Sequence, residues 1–98
     1  MKRDDINICD IENEVSSYFG VNVSDFYMRL GVRNIYTARH YLWLLLHDEY
    51  GLSHREISKI YPQSKRMIEK AISGIRFRVE NQRQDRERYE ALKSLLLI

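Results

Sequence analysis

One cysteine, one proline and four glycines in 98 residues narrow the architecture before any motif is considered. A lone Cys9 rules out an intrachain disulfide framework and any zinc site built on paired cysteines, and it suits a reducing cytoplasm. Scarce glycine and proline, with no useful stretch alternating at a two-residue period, argue against a turn-rich β fold. The longest apolar run, residues 41–46, is far short of the roughly 20 residues a membrane-spanning helix needs. The opening MKRDDINICDIENEV has two cations with no apolar run behind them, so no secretory signal is expected. No G-x-x-x-x-G-K-[ST] phosphate loop occurs, so no nucleotide is expected as cofactor or partner. Net charge is only +2, and composition alone names no polyanionic partner.

What is present describes a soluble all-α domain. With 44% apolar and 31% charged residues, the 98-residue chain has room for one compact core. A first helix is predicted over about residues 11–19, capped by Asp10, presenting Val15, Tyr18 and Phe19 and ending at Gly20. After Val21 and Val23, Ser24 and Asp25 start a brief second helix carrying Phe26 and Leu30, stopped at Gly31. Asn34 caps a longer helix over about residues 35–50, closed by Gly51. Ile35, Ala38, Leu42, Leu45 and Leu46 form its core face, and Tyr41, Trp43 and Leu44 make it apolar over most of its circumference. That helix should be the most buried.

Residues 51–75, GLSHREISKIYPQSKRMIEKAISGI, place a short helix, a tight turn and a basic helix in succession. Ser53 and Glu56 form a capping box ahead of Ile57, Ile60 and Tyr61, and Pro62 stops that helix. Gln63 or Ser64 caps the next, where Ile68, Ala71, Ile72, Ile75 and Val79 recur at three- and four-residue steps as a buried stripe. Lys65, Arg66, Lys70 and Ser73 are left on the other side. A second helix with cations and small polar groups near its N-terminus is what docking in the DNA major groove requires. Charge distribution agrees: residues 1–25 balance at −4 and residues 53–83 at +5.

The helical pattern runs from Lys65 to about Leu95 and predicts one long C-terminal helix. Residues 10–80 would then be a helix-turn-helix core, and residues 81–98 a charged helical extension whose end, from Ala91 to Ile98, is apolar. That end either folds back onto the domain after a break near Asn81 or forms the seam of a homodimer.

From about residue 13 to residue 76, nearly two thirds of the chain, the sequence resembles the C-terminal DNA-binding domain of the DnaA replication initiators, a helix-turn-helix domain of the Trp-repressor-like superfamily. The matching features are Phe19, Gly20 and Val21 followed by Asp25; Ala38 and Arg39 opening a long helix; and Leu52, Ser53, Glu56 and Ile57 opening the reading unit. The resemblance implies duplex DNA as partner, without the initiators' ATPase domain. It assigns the major-groove positions to Gln63, Ser64, Lys65, Arg66 and Met67, a minor-groove cation to Arg33 and a phosphate clamp to Arg39. The turn is one residue shorter than in the family, with Pro62 where glycine is usual, and the family's acid-histidine-threonine set is missing. The initiators' own origin box is therefore not the expected target.

Further candidates come from the residues themselves. His54 and Arg55 sit at a helix start whose amides favour phosphate. Arg66 suits a guanine edge, Glu69 a cytosine amine and Lys70 a phosphate. An enzyme is disfavoured, because the carboxylates show no paired spacing in an apolar setting. His40, His47 and His54 recur every seven residues; seven residues along a helix is about 10 Å, too wide for two side chains to share a metal ion, and His54 lies beyond a predicted break. The competing class is a protein-interaction adaptor that has lost DNA binding, supported by Met67, Phe77 and the apolar end.

Overall fold

A computed structural model describes residues 6–29 and 32–98, all of whose regular structure is helical. Helix α1, Ile8–Phe19, is capped by Asn7, whose side chain accepts from the Asp10 amide, so the helix begins earlier than an Asp10 cap would place it. Gly20, at φ 68°, ends it in the left-handed conformation that glycine adopts without a Cβ penalty. Val23–Tyr27 forms a 3-10 turn that buries Phe26. The predicted continuation through Leu30 to a stop at Gly31 lies outside the described residues.

The central helix is shorter at its C-terminal end than its pattern suggested. Helix α2, Arg33–Leu44, begins after Val32. Asn34 lies within its first turn instead of capping it, and its amide donates to the Phe19 carbonyl at 2.8 Å, tying α1 to α2. A π-helical turn, Leu45–Glu49, follows. All of residues 41–46 are buried, as an apolar circumference requires, while Ile35 is only half-buried. The wider turn sets three consecutive polar side chains to separate tasks. His47 Nδ1 meets the Leu52 carbonyl, Asp48 pairs with Arg76 and Glu49 accepts from the Tyr89 hydroxyl. Gly51, at φ 77°, reverses the chain into α3, His54–Ile60.

The long C-terminal helix that the pattern predicts is two helices, and the chain takes the fold-back alternative, with its break at Gln82 beside Asn81. Helix α4 covers Lys65–Asn81 and α5 covers Arg83–Leu95, with Gln82 extended between them at φ −120°, ψ 126°. An unbroken helix over residues 65–95 would be about 46 Å long, whereas the described residues extend 31 Å at most. No glycine or proline causes the break. The Gln82 amide and the Arg86 guanidinium satisfy carbonyls at the end of α4, and packing repays the turn. Leu92 and Tyr89 enter the core, and Asp85, 2% exposed, accepts from Tyr41 and pairs with Arg78 at 3.2 Å. Of the expected extension's apolar end, Leu92 is buried while Leu95, Leu97 and Ile98 remain exposed.

The core thus lies between α1, α2, α4 and α5, with Ile11, Val15, Leu42, Leu46, Ile68, Ile72 and Leu92 all at or below 2% exposure. No helix among the described residues is long and apolar enough to cross a membrane.

Candidate nucleic-acid interface

Local chemistry builds the unit formed by α3, its turn and α4. The Ser53 hydroxyl accepts from the Glu56 amide at 3.1 Å while the Glu56 carboxylate accepts from the Ser53 amide at 2.9 Å, so the capping box is reciprocal. Tyr61 ends α3 in an extended conformation. The Gln63 amide closes a three-residue turn around Pro62 onto the Tyr61 carbonyl at 2.8 Å, a shape that proline's fixed φ favours. Ser64, not Gln63, then caps α4, its hydroxyl accepting from the Met67 amide. The Gln63 side chain donates to the Arg29 backbone carbonyl at 3.4 Å.

A buried carboxylate fixes this unit on the domain. Glu12 of α1 is 2% exposed, and one of its oxygens accepts from both the Tyr27 and the Tyr61 hydroxyls, the latter at 2.7 Å. Burial, reinforced by those bonds to Glu12, pushes the Tyr27 phenol up to about 12 and the Tyr61 phenol higher still. Tyr61 also lies against the rings of Tyr27 and Trp43. The turn that sets the angle between α3 and α4 is thereby tied to α1 and to the 3-10 turn. On α4, Arg76 grips Asp48 with two hydrogen bonds.

The exposed side of α4 carries Arg66, Lys70, Ser73 and Phe77 at helical steps, opposite the buried Ile68, Ile72 and Ile75. Among the described residues Arg66 and Lys70 have no carboxylate partner. Lys65 is different: its ammonium lies 3.1 Å from Glu69 and holds that carboxyl below its usual range. His54 approaches Glu69 at 3.6 Å, so His54, Lys65 and Glu69 form one cluster at the start of the unit. Arg55 is exposed on α3, apart from that cluster. Arg33 is also exposed, but it borders a shallow depression with Tyr18, Phe19 and Arg88, and among the described residues no hydrogen bond or ion pair joins it to α3 or α4.

Arg39 departs from its expected role as a phosphate clamp. It is 1% exposed, donates to the Met28 carbonyl and lies 4.9 Å from the Tyr36 ring centroid. A guanidinium in that position is not presented to a docked backbone. Burial lowers its pKa, a shift opposed by Tyr36 and Asp25. Its Nε and the Trp43 indole nitrogen are buried with no hydrogen-bond partner among the described residues, at a cost of about 1–3 kcal/mol for each such group. A signal was present in the sequence: Tyr36, Leu42 and Trp43 surround Arg39 at helical spacing and mark an inward position.

His54, beyond the break at Gly51, comes back onto His47. Because Gly51 reverses the chain, the rings of His47 and His54 stack with centroids 4.3 Å apart. Among the described residues no three His, Cys, Asp or Glu side chains form a metal-sized group. Burial, then the neighbouring His47, depresses the pKa of His54; burial, then Arg39 and Arg78, depresses that of His40. Both groups titrate near 6.5 when unfolded, so the unfolded chain binds more protons between 6.5 and the lower folded values. Their contribution to stability is therefore complete above pH 6.5 and falls as pH drops through the folded values. Urea midpoints should decrease on acidification from pH 7.5 to 5, and His40→Gln with His54→Gln should flatten that slope; an unchanged slope contradicts the assignment.

No family model matches the chain, and a search of curated proteins returns no significant match.

Proposed function

We propose that the chain is a duplex-DNA-binding domain that reads with α4, in the manner implied by its resemblance to the DnaA C-terminal domain, and that it is a binding module and not an enzyme. The observation that carries this reading is the tight turn at Pro62 leading into a helix whose exposed face offers Arg66 and Lys70, which have no carboxylate partner among the described residues. Exposed cations beside a helix N-terminus attract phosphates, and Arg66 offers the fork that takes a guanine edge bidentately, worth about 1–3 kcal/mol of discrimination. Glu69 would accept from a cytosine amine, and Lys65 would exchange its contact with Glu69 for a phosphate. Arg55 and His54 supply phosphate contacts from α3, with Gln63 and Ser64 at the turn. Arg33 supplies a separate cation at the start of α2.

The setting proposed is cytoplasmic, in regulation of transcription or in replication of a chromosome or mobile element. Leu95, Leu97 and Ile98 are the exposed apolar residues left for a homodimer. The adaptor reading rests on the exposure of Phe77 and Met67, 63% and 54%, on the same helix. Fluorescence anisotropy with a labelled random duplex at low salt separates the two. DNA binding predicts a saturable rise that Arg33→Ala weakens severalfold, because one backbone contact is lost. An unchanged affinity for Arg33→Ala removes that residue from the interface, and no binding by the wild type gives the adaptor first place.

A further inference from the structure

We infer that Arg88 of α5 joins Arg33 in a second patch that binds backbone phosphates of duplex DNA, apart from the reading helix. The inference rests on the DNA reading and adds to it a contact from outside the helix-turn-helix unit.

Arg33 and Arg88 are far apart in sequence, yet both line one shallow depression where the end of α1, the start of α2 and α5 meet. Tyr18, Phe19, Asn34 and Thr37 complete its lining, which holds no Asp or Glu. Among the described residues neither arginine has a carboxylate within ion-pairing distance. The contrast with other arginines of α4 and α5 is direct, since Arg76, Arg78 and Arg83 each have a carboxylate within 3.2 Å.

The two cations are held where their charge is unmatched. Arg88 is half-buried, and its guanidinium lies 5.9 Å from the Phe19 ring centroid, so the ring keeps it on the wall of the depression. Arg33 opens α2, whose first turn contains no acidic residue and whose preceding Val32 supplies no side-chain cap. The start of a helix favours anions, so a cation there, with a second one beside it, concentrates charge of one sign. A local rule broken in this way is expected where a bound partner supplies the missing charge.

The partner's chemistry follows from the lining and its place. Guanidinium forks suit phosphate oxygens, and the exposed Tyr18 adds a hydroxyl beside them. Arg33 lies one helical turn before Tyr36, which shares a groove with Gln63 and Met67 at the head of α4. That end of α2 therefore adjoins the reading unit, and the ligand is the backbone flanking the segment that α4 reads.

Fluorescence anisotropy with a labelled random-sequence duplex, between 50 and 200 mM salt, tests the patch on the whole chain. Each lost phosphate contact lowers the salt exponent by about 0.9, so the fall in affinity across that range should shrink about 3.5-fold for Arg88→Ala, and again for Arg33→Ala/Arg88→Ala. Arg88→Gln keeps a stem to pack on Phe19 and loses the charge, and should give the same readout even if Arg88→Ala fails to fold. Arg88→Lys should retain the wild-type exponent. An unchanged exponent in folded Arg88→Gln, while Lys65→Ala/Arg66→Ala still weakens binding, would overturn the second patch and leave the reading by α4 intact. A change in Arg83→Ala equal to that in Arg88→Gln would also overturn it, as diffuse attraction. No duplex binding by the wild type would overturn the patch together with the DNA reading.

Discussion

Glu12→Ala is expected to destabilise the domain by about 2–3 kcal/mol, because the Tyr61 hydroxyl, buried with its ring, and the Tyr27 hydroxyl lose their common acceptor. For a domain of this size, that corresponds to a fall of roughly 10–20 °C in melting temperature. Glu12→Gln keeps a carbonyl oxygen for one hydroxyl and should cost less, about 1 kcal/mol. The loss should also be shared: once Tyr61→Phe has removed the buried hydroxyl, Glu12→Ala should cost measurably less than it does in the wild type. Urea unfolding of the wild type and the four variants gives these differences. A Glu12→Ala penalty below about 0.5 kcal/mol would mean that the two tyrosines find other acceptors and that the clamp on the turn is not structural.

The second large effect concerns binding. Lys65→Ala/Arg66→Ala removes two exposed cations from the first turn of α4 and replaces them with a better helix former, so the fold should be unaffected. Loss of one base-edge fork and one phosphate contact should weaken duplex binding about 100-fold, or roughly 2.7 kcal/mol. Arg83→Ala provides the control. Arg83 is highly exposed on α5, remote from α4's first turn in sequence, and pairs with Glu87 four residues on, so its replacement should leave affinity nearly unchanged. Equal losses from both changes would indicate diffuse charge attraction in place of docking by α4.

The parts of the fold legible in the sequence are those decided locally. Ser53 with Glu56, Pro62, and the glycines at 20 and 51 set their boundaries through hydrogen bonds or backbone conformations within a few residues, and those boundaries are where local chemistry puts them. The break at Gln82 is not of that kind. A break near Asn81 is one of the two readings the sequence allows, but Asn81 and Gln82 are compatible with a helix and do not decide between them; the chain turns because doing so buries Leu92, Tyr89 and Asp85, a tertiary effect.

Glu12 was hidden for a related reason. Within an acidic N-terminal stretch it reads as a solvated charge, and its partners lie 15 and 49 residues away. Arg39 shows a different error, in which residue type outweighed position: a cation was assigned to the surface although its helical neighbours are apolar. At the candidate site, the exposed stripe of Arg66 and Lys70 follows directly from the periodicity of α4. The neutralising contact between Lys65 and Glu69 has i,i+4 spacing and was equally open to inspection. The stacking of His47 on His54 required knowing how Gly51 turns the chain.

The most direct test is the salt dependence of wild-type affinity for duplex DNA, measured by fluorescence anisotropy between 50 and 200 mM monovalent salt, a range over which counterion release is readily resolved. With about four phosphates neutralised, affinity should fall roughly 100-fold across that range, linearly in the logarithm of salt. A salt-independent affinity, or no binding at the low-salt end, would contradict the reading of α4 as a DNA-docking helix.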